Sequence, residues 1–176
     1  KIGGVRRDIT DEQLQRIDTI CDDLVGQLEL LTGAVLDDPV LHARLKGVGV
    51  LSEEDARAWG AAGPTARASN RPIDVRRDDP YAAYDWVDWD VIVEPHGDVM
   101  DKAVVRLKEC FEAVKIVKGC VKQMEPGEID ADVGHIPPGE GCGHVEAPRG
   151  ETFHYVRSDG SNRPVRHKVR APSFNN

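Results

Sequence analysis

The sequence predicts an α+β chain: mainly a portion of a helical bundle, with a small antiparallel β-segment near its C-terminus. Two long stretches, residues 11–32 and 98–124, place apolar side chains at helical spacing. The tail changes character, with two short alternating runs flanking the turn-forming Ser158-Asp159-Gly160-Ser161-Asn162. The region between the long stretches is too rich in Gly and Pro for a third long element.

The first helix opens at Thr10, with Gln13 in the capping-box position. Its apolar stripe is Leu14, Ile17, Ile20, Cys21, Leu24, Val25, Leu28 and Leu31, and Gly33 is expected to end it. Asp38 followed by Pro39 starts a short helix reaching about Leu45, because proline suits the first helical position. Ser52 starts another, with Glu53, Glu54 and Asp55 at the positive end of its dipole and Gly60 at its close. Residues 60–98 contain Gly63-Pro64, Arg71-Pro72 and Asp79-Pro80, so a long ordered loop is expected there, of the kind that carries function. Tyr81, Tyr84, Trp86 and Trp89 concentrate its aromatic content. The second long helix is expected to bury Val99, Ala103, Val104, Leu107, Phe111, Val114, Val117 and Val121, to stop before Pro126-Gly127, and to pack antiparallel to the first. A short strand at His144–Glu146 and a hairpin of 152–157 with 164–170 follow. Residues 1–130 thus form the helical portion with its loop at 60–98, and residues 131–176 a loop plus the β-segment.

Composition narrows the function classes. The chain has 176 residues, 40% apolar and 31% charged, with a net charge of −8. Such acidity argues against a nucleic-acid binder. No run approaches the ~18 apolar residues of a membrane span, and the start lacks the apolar core of a signal peptide. Both ends, Lys1-Ile2-Gly3-Gly4 and the stretch through Asn176, have the character of chain interior, and a piece of a longer protein is expected. Cys21, Cys110 and Cys120 fall on helical patterns and are expected reduced and buried, with Cys142 exposed in a Gly-rich loop. No C-x-x-C, H-x-x-x-H or H-E-x-x-H occurs, which argues against a cluster site or a zinc hydrolase built here. Gly47-Val48-Gly49 lacks the Lys-Ser/Thr of a phosphate loop.

Glu146-Ala147-Pro148-Arg149-Gly150 carries the most specific chemistry. Proline fixes one φ and glycine permits close approach, so such a turn can hold Arg149 rigidly over a site. Spacing alone favours a plainer reading, a surface turn with a solvated arginine. Arg67, Arg71, Arg76 and Arg77 alternate with Asp74, Asp78 and Asp79, as an ion-pair network ordering the loop would, or an interface with a partner subunit. His154 and His167 lie in hairpin strands, where packing is the commoner role. Arg166, Lys168 and Arg170 make one side of the last strand basic.

Three stretches together resemble a known family. They are Gly47-Val48-Gly49-Val50-Leu51-Ser52 through Gly63-Pro64-Thr65-Ala66-Arg67-Ala68-Ser69 and Asp74-Val75-Arg76-Arg77 to Tyr84; Gly97-Asp98 before the long helix with Arg106 and Glu109; and Glu146–Gly150 with His154-Tyr155 and Arg170-Ala171-Pro172. The set is similar to the large subunits of membrane-bound, energy-converting NiFe hydrogenases, and to the homologous 49-kDa subunit of NADH:quinone oxidoreductase (respiratory complex I). The hydrogenase resemblance implies that Pro148 and Arg149 overhang a Ni–Fe site, with Arg149 polarising bound H2 and Pro148 shaping the pocket. A permanently protonated guanidinium suits such electrostatic work. Arg67, Ser69, Asp74, Arg76, Tyr81, Glu146 and His154 are candidates for ordering the loop or meeting a partner.

The family has Gly where this chain has Asn70, a residue that tolerates left-handed backbone. The two C-x-x-C pairs that hold nickel and iron in the hydrogenases are absent, so this segment is expected to bind no metal or cofactor. For a full hydrogenase-type subunit the resemblance implies a Ni–Fe centre, Fe–S clusters in a small partner subunit, membrane subunits, and ferredoxin as electron partner. The complex I alternative implies quinone instead. Either implies a peripheral position on the cytoplasmic membrane through partners. The wording of Arg67-Ala68-Ser69 and Arg170–Phe174 favours the hydrogenases. A non-catalytic assembly module is the third reading.

Overall fold

The computed structural model describes residues 3–176, so the reading of Lys1 and Ile2 lies outside the described residues. Thr10 caps α1 (Asp11–Leu36) through a reciprocal box: Gln13 N–H donates to Thr10 Oγ1 at 3.3 Å, and Thr10 N–H to Gln13 Oε1 at 2.9 Å. Asp98 caps α6 (Val99–Gln123), accepting from Asp101 N–H, and its other oxygen accepts from Gly47 N–H, each at 2.8 Å. The two run antiparallel: Leu36 shares a groove with Met100, while Leu14 shares one with Met124. Lys118 reaches back to Asp18 and Asp22. Between them lie α2 (Pro39–Leu45), α3 (Glu53–Ala58), α4 (Gly63–Arg67) and α5 (Val75–Asp78). The C-terminal part is an antiparallel meander of β1 (Pro138–Ala147), β2 (Gly150–Asp159) and β3 (Arg166–Arg170), then a 3-10 turn at Pro172–Phe174. The chain is therefore α+β.

Several expectations need correcting. Gly33 does not end α1; the helix runs through it and stops before Asp38-Pro39, where proline disfavours helix in the preceding residue. Cys21 is buried, but Cys110 is exposed and Cys120 half-buried, because α6 is covered on one side only. For the same reason Ile20 and Leu31 of the α1 stripe stay 46% and 51% exposed. The three-residue strand at 144–146 is part of a ten-residue strand, so the Pro148–Arg149 turn lies inside a hairpin rather than before one. Its β1 half escaped notice because Gly139, Gly141 and Gly143 break the usual strand composition.

The core sits where α3 meets the stretch expected to be a loop. Ala56, Ala61 and Ala66 form its centre, with Leu51 and Ile73 against them. Trp89, Arg67, Val105, Pro64 and Ser69 are the largest fully buried side chains. Residues 67–70 run against 94–97 through Glu94 N–H to Arg67 O, Asn70 N–H to Glu94 O and Gly97 N–H to Ala68 O. Asn70 takes φ +60° at that crossing, a left-handed conformation that asparagine tolerates better than most non-glycine residues.

Candidate functional site

The site forms where α4, α5, α6 and the β1–β2 hairpin meet. A run of small residues, Ala61-Ala62-Gly63, brings backbone directly against the hairpin turn. Ala147 pairs with Gly150, so Pro148 and Arg149 make a two-residue turn. A Cβ on Gly63 would meet Arg149 C and Gly150 atoms at 2.5 Å, and one on Gly150 would meet Gly63 N at 2.6 Å. Both glycines also have positive φ, +61° and +121°. Asn176 closes the seat: its Nδ2 donates to Arg149 O and its Oδ1 accepts from Ala62 N–H, each at 2.9 Å. The Pro148 and Arg149 side chains stand exposed, and Arg149's guanidinium has no hydrogen-bond or ion-pair partner among the described residues.

Beneath the turn lies a buried ionic cluster. Arg67, 1% exposed, donates from Nε to Glu109 at 2.7 Å and from Nη1 to Glu146 and the Ile73 carbonyl, both at 2.9 Å, with Asp74 at 3.1 Å. Arg76 grips Asp74 in a bidentate pair of 2.9 and 2.6 Å. Its guanidinium also lies 4.7 Å from the Trp89 ring centroid, and Arg77 covers the same ring at 4.4 Å. Burial opposes the charge on Arg76, but the bonds and attraction from Asp74 outweigh it and hold its pKa above the ordinary guanidinium value. Tyr81 accepts from Glu146 N–H at 3.1 Å, and burial pushes its phenol up. Ser69 bonds only backwards, to Thr65 O at 3.2 Å.

The structure thus joins Arg67, Asp74, Arg76, Tyr81 and Glu146 in one cluster under Pro148–Arg149. Ser69 packs at the end of α4. His154 lies elsewhere: strand alternation puts it on the opposite sheet face from Glu146, its ring stacked on His167 with Nδ1 3.0 Å from Nε2.

A cavity of about 220 Å3 adjoins the cluster, lined by Asp74, Asp78, Asp79, His144, Glu146 and Glu151, with Gly63 in its wall. His144 bridges two carboxylates, Nδ1 to Glu151 at 2.6 Å and Nε2 to Asp79 at 2.7 Å. Those bonds raise the His144 pKa. Burial pushes Glu151 up, but bonds from His144 and Arg170 outweigh it and leave its pKa lowered. Burial also pushes Glu146 above the ordinary carboxyl range, Arg67 opposing and Asp74 reinforcing the shift. Sequence reading missed His144, Asp79, Glu151, Gly63 and Asn176 as members of this site. The alternation of His144 with Glu146, two apart on one strand face, was the available signal for the first; nothing local marks Asn176.

These residues do not fit a Ni–Fe centre. The four cysteines lie on separate stretches of α1, α6 and β1, and among the described residues no three His, Cys, Asp or Glu side chains are arranged so that they could hold a metal ion. No helix among them is long and apolar enough to cross a membrane.

Known proteins share this chain's sequence and fold. A family model for the respiratory-chain NADH dehydrogenase 49 Kd subunit matches residues 1–136 and 131–176. An NADH-quinone oxidoreductase subunit of Magnetococcus marinus is 35% identical over 98% of this chain and 51% of its own length. The carbon monoxide-induced hydrogenase of Rhodospirillum rubrum is 36% identical over 99% of this chain and 49% of its own. Among solved structures, a chain of the membrane-bound sulfane sulfur reductase, an archaeal respiratory membrane complex, superposes with a TM-score of 0.92 at 32% identity, covering 98% of this chain and 49% of that one. The chain spans about half the length of the curated relatives it matches.

Proposed function

The chain belongs to the family of the respiratory-chain NADH dehydrogenase 49 Kd subunit, and on that footing we propose that it serves a quinone-reducing complex of the complex I type. It is a subunit-type chain of a membrane-associated oxidoreductase assembly. The observation that carries the quinone reading is the family match from end to end, together with relatives named as subunits of NADH-quinone oxidoreductase. This reverses the order drawn from the wording of Arg67-Ala68-Ser69, which favoured a hydrogenase. In this role the Pro148–Arg149 turn forms one wall of a substrate site completed by other parts of the subunit. Arg149 supplies a fixed positive charge to an oxygen that gains electron density during reduction. The buried cluster acts as the foundation that holds the turn. Iron–sulfur and membrane subunits are the partners, giving a peripheral position on the membrane, and the segment by itself holds no metal and has no turnover.

A hydrogenase role is the second reading, favoured by the Rhodospirillum rubrum relative. Purification of the parent complex separates the two. Quinone reduction without stoichiometric nickel supports the first, whereas stoichiometric nickel with hydrogen turnover overturns it. In the same complex Arg149→Lys is expected to cut turnover at least about tenfold while assembly is retained, because lysine offers a point charge in place of the planar fork. Unchanged turnover would leave only a non-catalytic assembly role.

A further inference from the structure

The cluster beneath the turn holds charges that do not balance. Arg67 and Arg76 are its permanent cations, and they face three carboxylates, Asp74, Glu109 and Glu146. Around Arg67 and Asp74, whose side chains are 2% and 1% exposed, an uncompensated negative charge is disfavoured. Neutralising one carboxylate with a proton relieves it, as in other carboxylate groups that cannot all ionise together.

The geometry indicates which one. Asp74 takes both nitrogens of Arg76, the backbone N–H of Arg76 and the edge of Arg67, so its charge is the best satisfied. Glu109 is 20% exposed and keeps some water. The Glu146 side chain is 5% exposed, with one guanidinium bond at 2.9 Å and a long N–H contact from Val75 at 3.4 Å. It sits opposite Glu151 in strand register, and Asp74 raises its proton affinity further. Tyr81 contacts its backbone rather than its carboxyl, and Asp78 is engaged by Asp74 N–H.

A route to solvent adjoins it. The cavity has room for several waters at roughly 30 Å3 each. Along it lie Glu151, held by Arg170, then His144, then Asp79, whose side chain is 74% exposed. An imidazole bonded to a carboxylate at each nitrogen takes a proton on one side and releases one on the other.

We propose that Glu146 is a proton-loading site beneath the Pro148–Arg149 turn, exchanging with solvent through Glu151, His144 and Asp79. On release the proton leaves the Glu146 carboxyl for Glu151. His144, as a neutral imidazole with its proton on Nε2, gives that proton to Asp79 as Nδ1 takes the incoming one from Glu151, leaving the ring neutral with its proton on Nδ1. Glu146 is left as a carboxylate and the proton passes to water. Uptake reverses each transfer. Use of this proton in turnover rests on the redox role above; its presence on Glu146 does not.

The test is carboxyl carbon NMR on the intact chain labelled at Glu, with Glu146→Gln assigning the signal. Glu146 is expected to titrate above the ordinary glutamate range. Glu109→Gln removes one of the three negative charges and should lower the midpoint by about one pH unit. His144→Gln should slow exchange, splitting the averaged signal into protonated and ionised forms. A midpoint at or below the ordinary value, or one unmoved by Glu109→Gln, overturns the loading site; exchange unaltered by His144→Gln overturns the route. Arg149→Lys in the parent complex reports separately on the redox role.

Discussion

Helix α1 and the stretch from Ala61 to Asp74 are opposites. The helix is long, regular and marked by a clear apolar stripe, yet Cys21 is the one buried residue along it. The stretch after Ala61 contains no element longer than five residues, and most of its side chains are buried. Periodicity in α1 shows that an apolar face exists, but α6 covers only part of that face. Order in the irregular stretch comes instead from alanines and glycines that let backbones touch, and from one guanidinium that satisfies three carboxylates and a carbonyl.

The sharpest way to break this contrast is Arg67→Met. It strands Glu146, Asp74 and Glu109 without their shared cation, and should cost about 3–5 kcal/mol in denaturant unfolding. A loss below about 1 kcal/mol would mean that the cluster does not order the stretch. Gly63→Ala comes next. Its methyl would overlap the Arg149–Gly150 backbone at a positive φ, and about 2–3 kcal/mol should be lost. A smaller effect comes from pH. His144 is raised, so its contribution is complete below the ordinary imidazole value and fades as pH rises through its folded pKa. Glu151 is lowered, so its contribution holds above the ordinary carboxyl value and fades as pH falls through its folded pKa. Hydrogen-exchange protection of the hairpin should therefore peak between those limits, and His144→Gln should remove the alkaline decline. At the far end is Leu31→Gln on exposed α1, expected to change stability by less than about 0.5 kcal/mol. A large loss there would show that α1 depends on its stripe as much as the irregular stretch depends on Arg67.

What could be read from the sequence follows the same division. The Thr10–Gln13 box, the Asp38-Pro39 start, the Ser52 cap and the boundaries of α6 within one residue are all local signals, and each appears in the structure. The α6 start needed only Asp98 before a periodic run. The core did not announce itself, because Ala56, Ala66 and Ala68 have no periodicity and are buried by contacts distant in sequence. The β1 strand was hidden by its glycines. At the site, residue types suggested an Arg–Asp network, but the partnership of Arg67 with Glu146, 79 positions away, is set by the hairpin's placement. Nor could spacing show that His144 would reach Asp79 across 65 positions.

The contact between Gly63 and Gly150 separates position from chemistry. The turn is located by backbone resting on backbone and by the amide of Asn176, none of which involves the side chain at 149. That side chain can change without moving its own anchor point. A lineage can then change the side chain that the turn presents, one substitution at a time, while the scaffold stays the same. Related proteins that carry out different redox reactions on one fold have that freedom available to them.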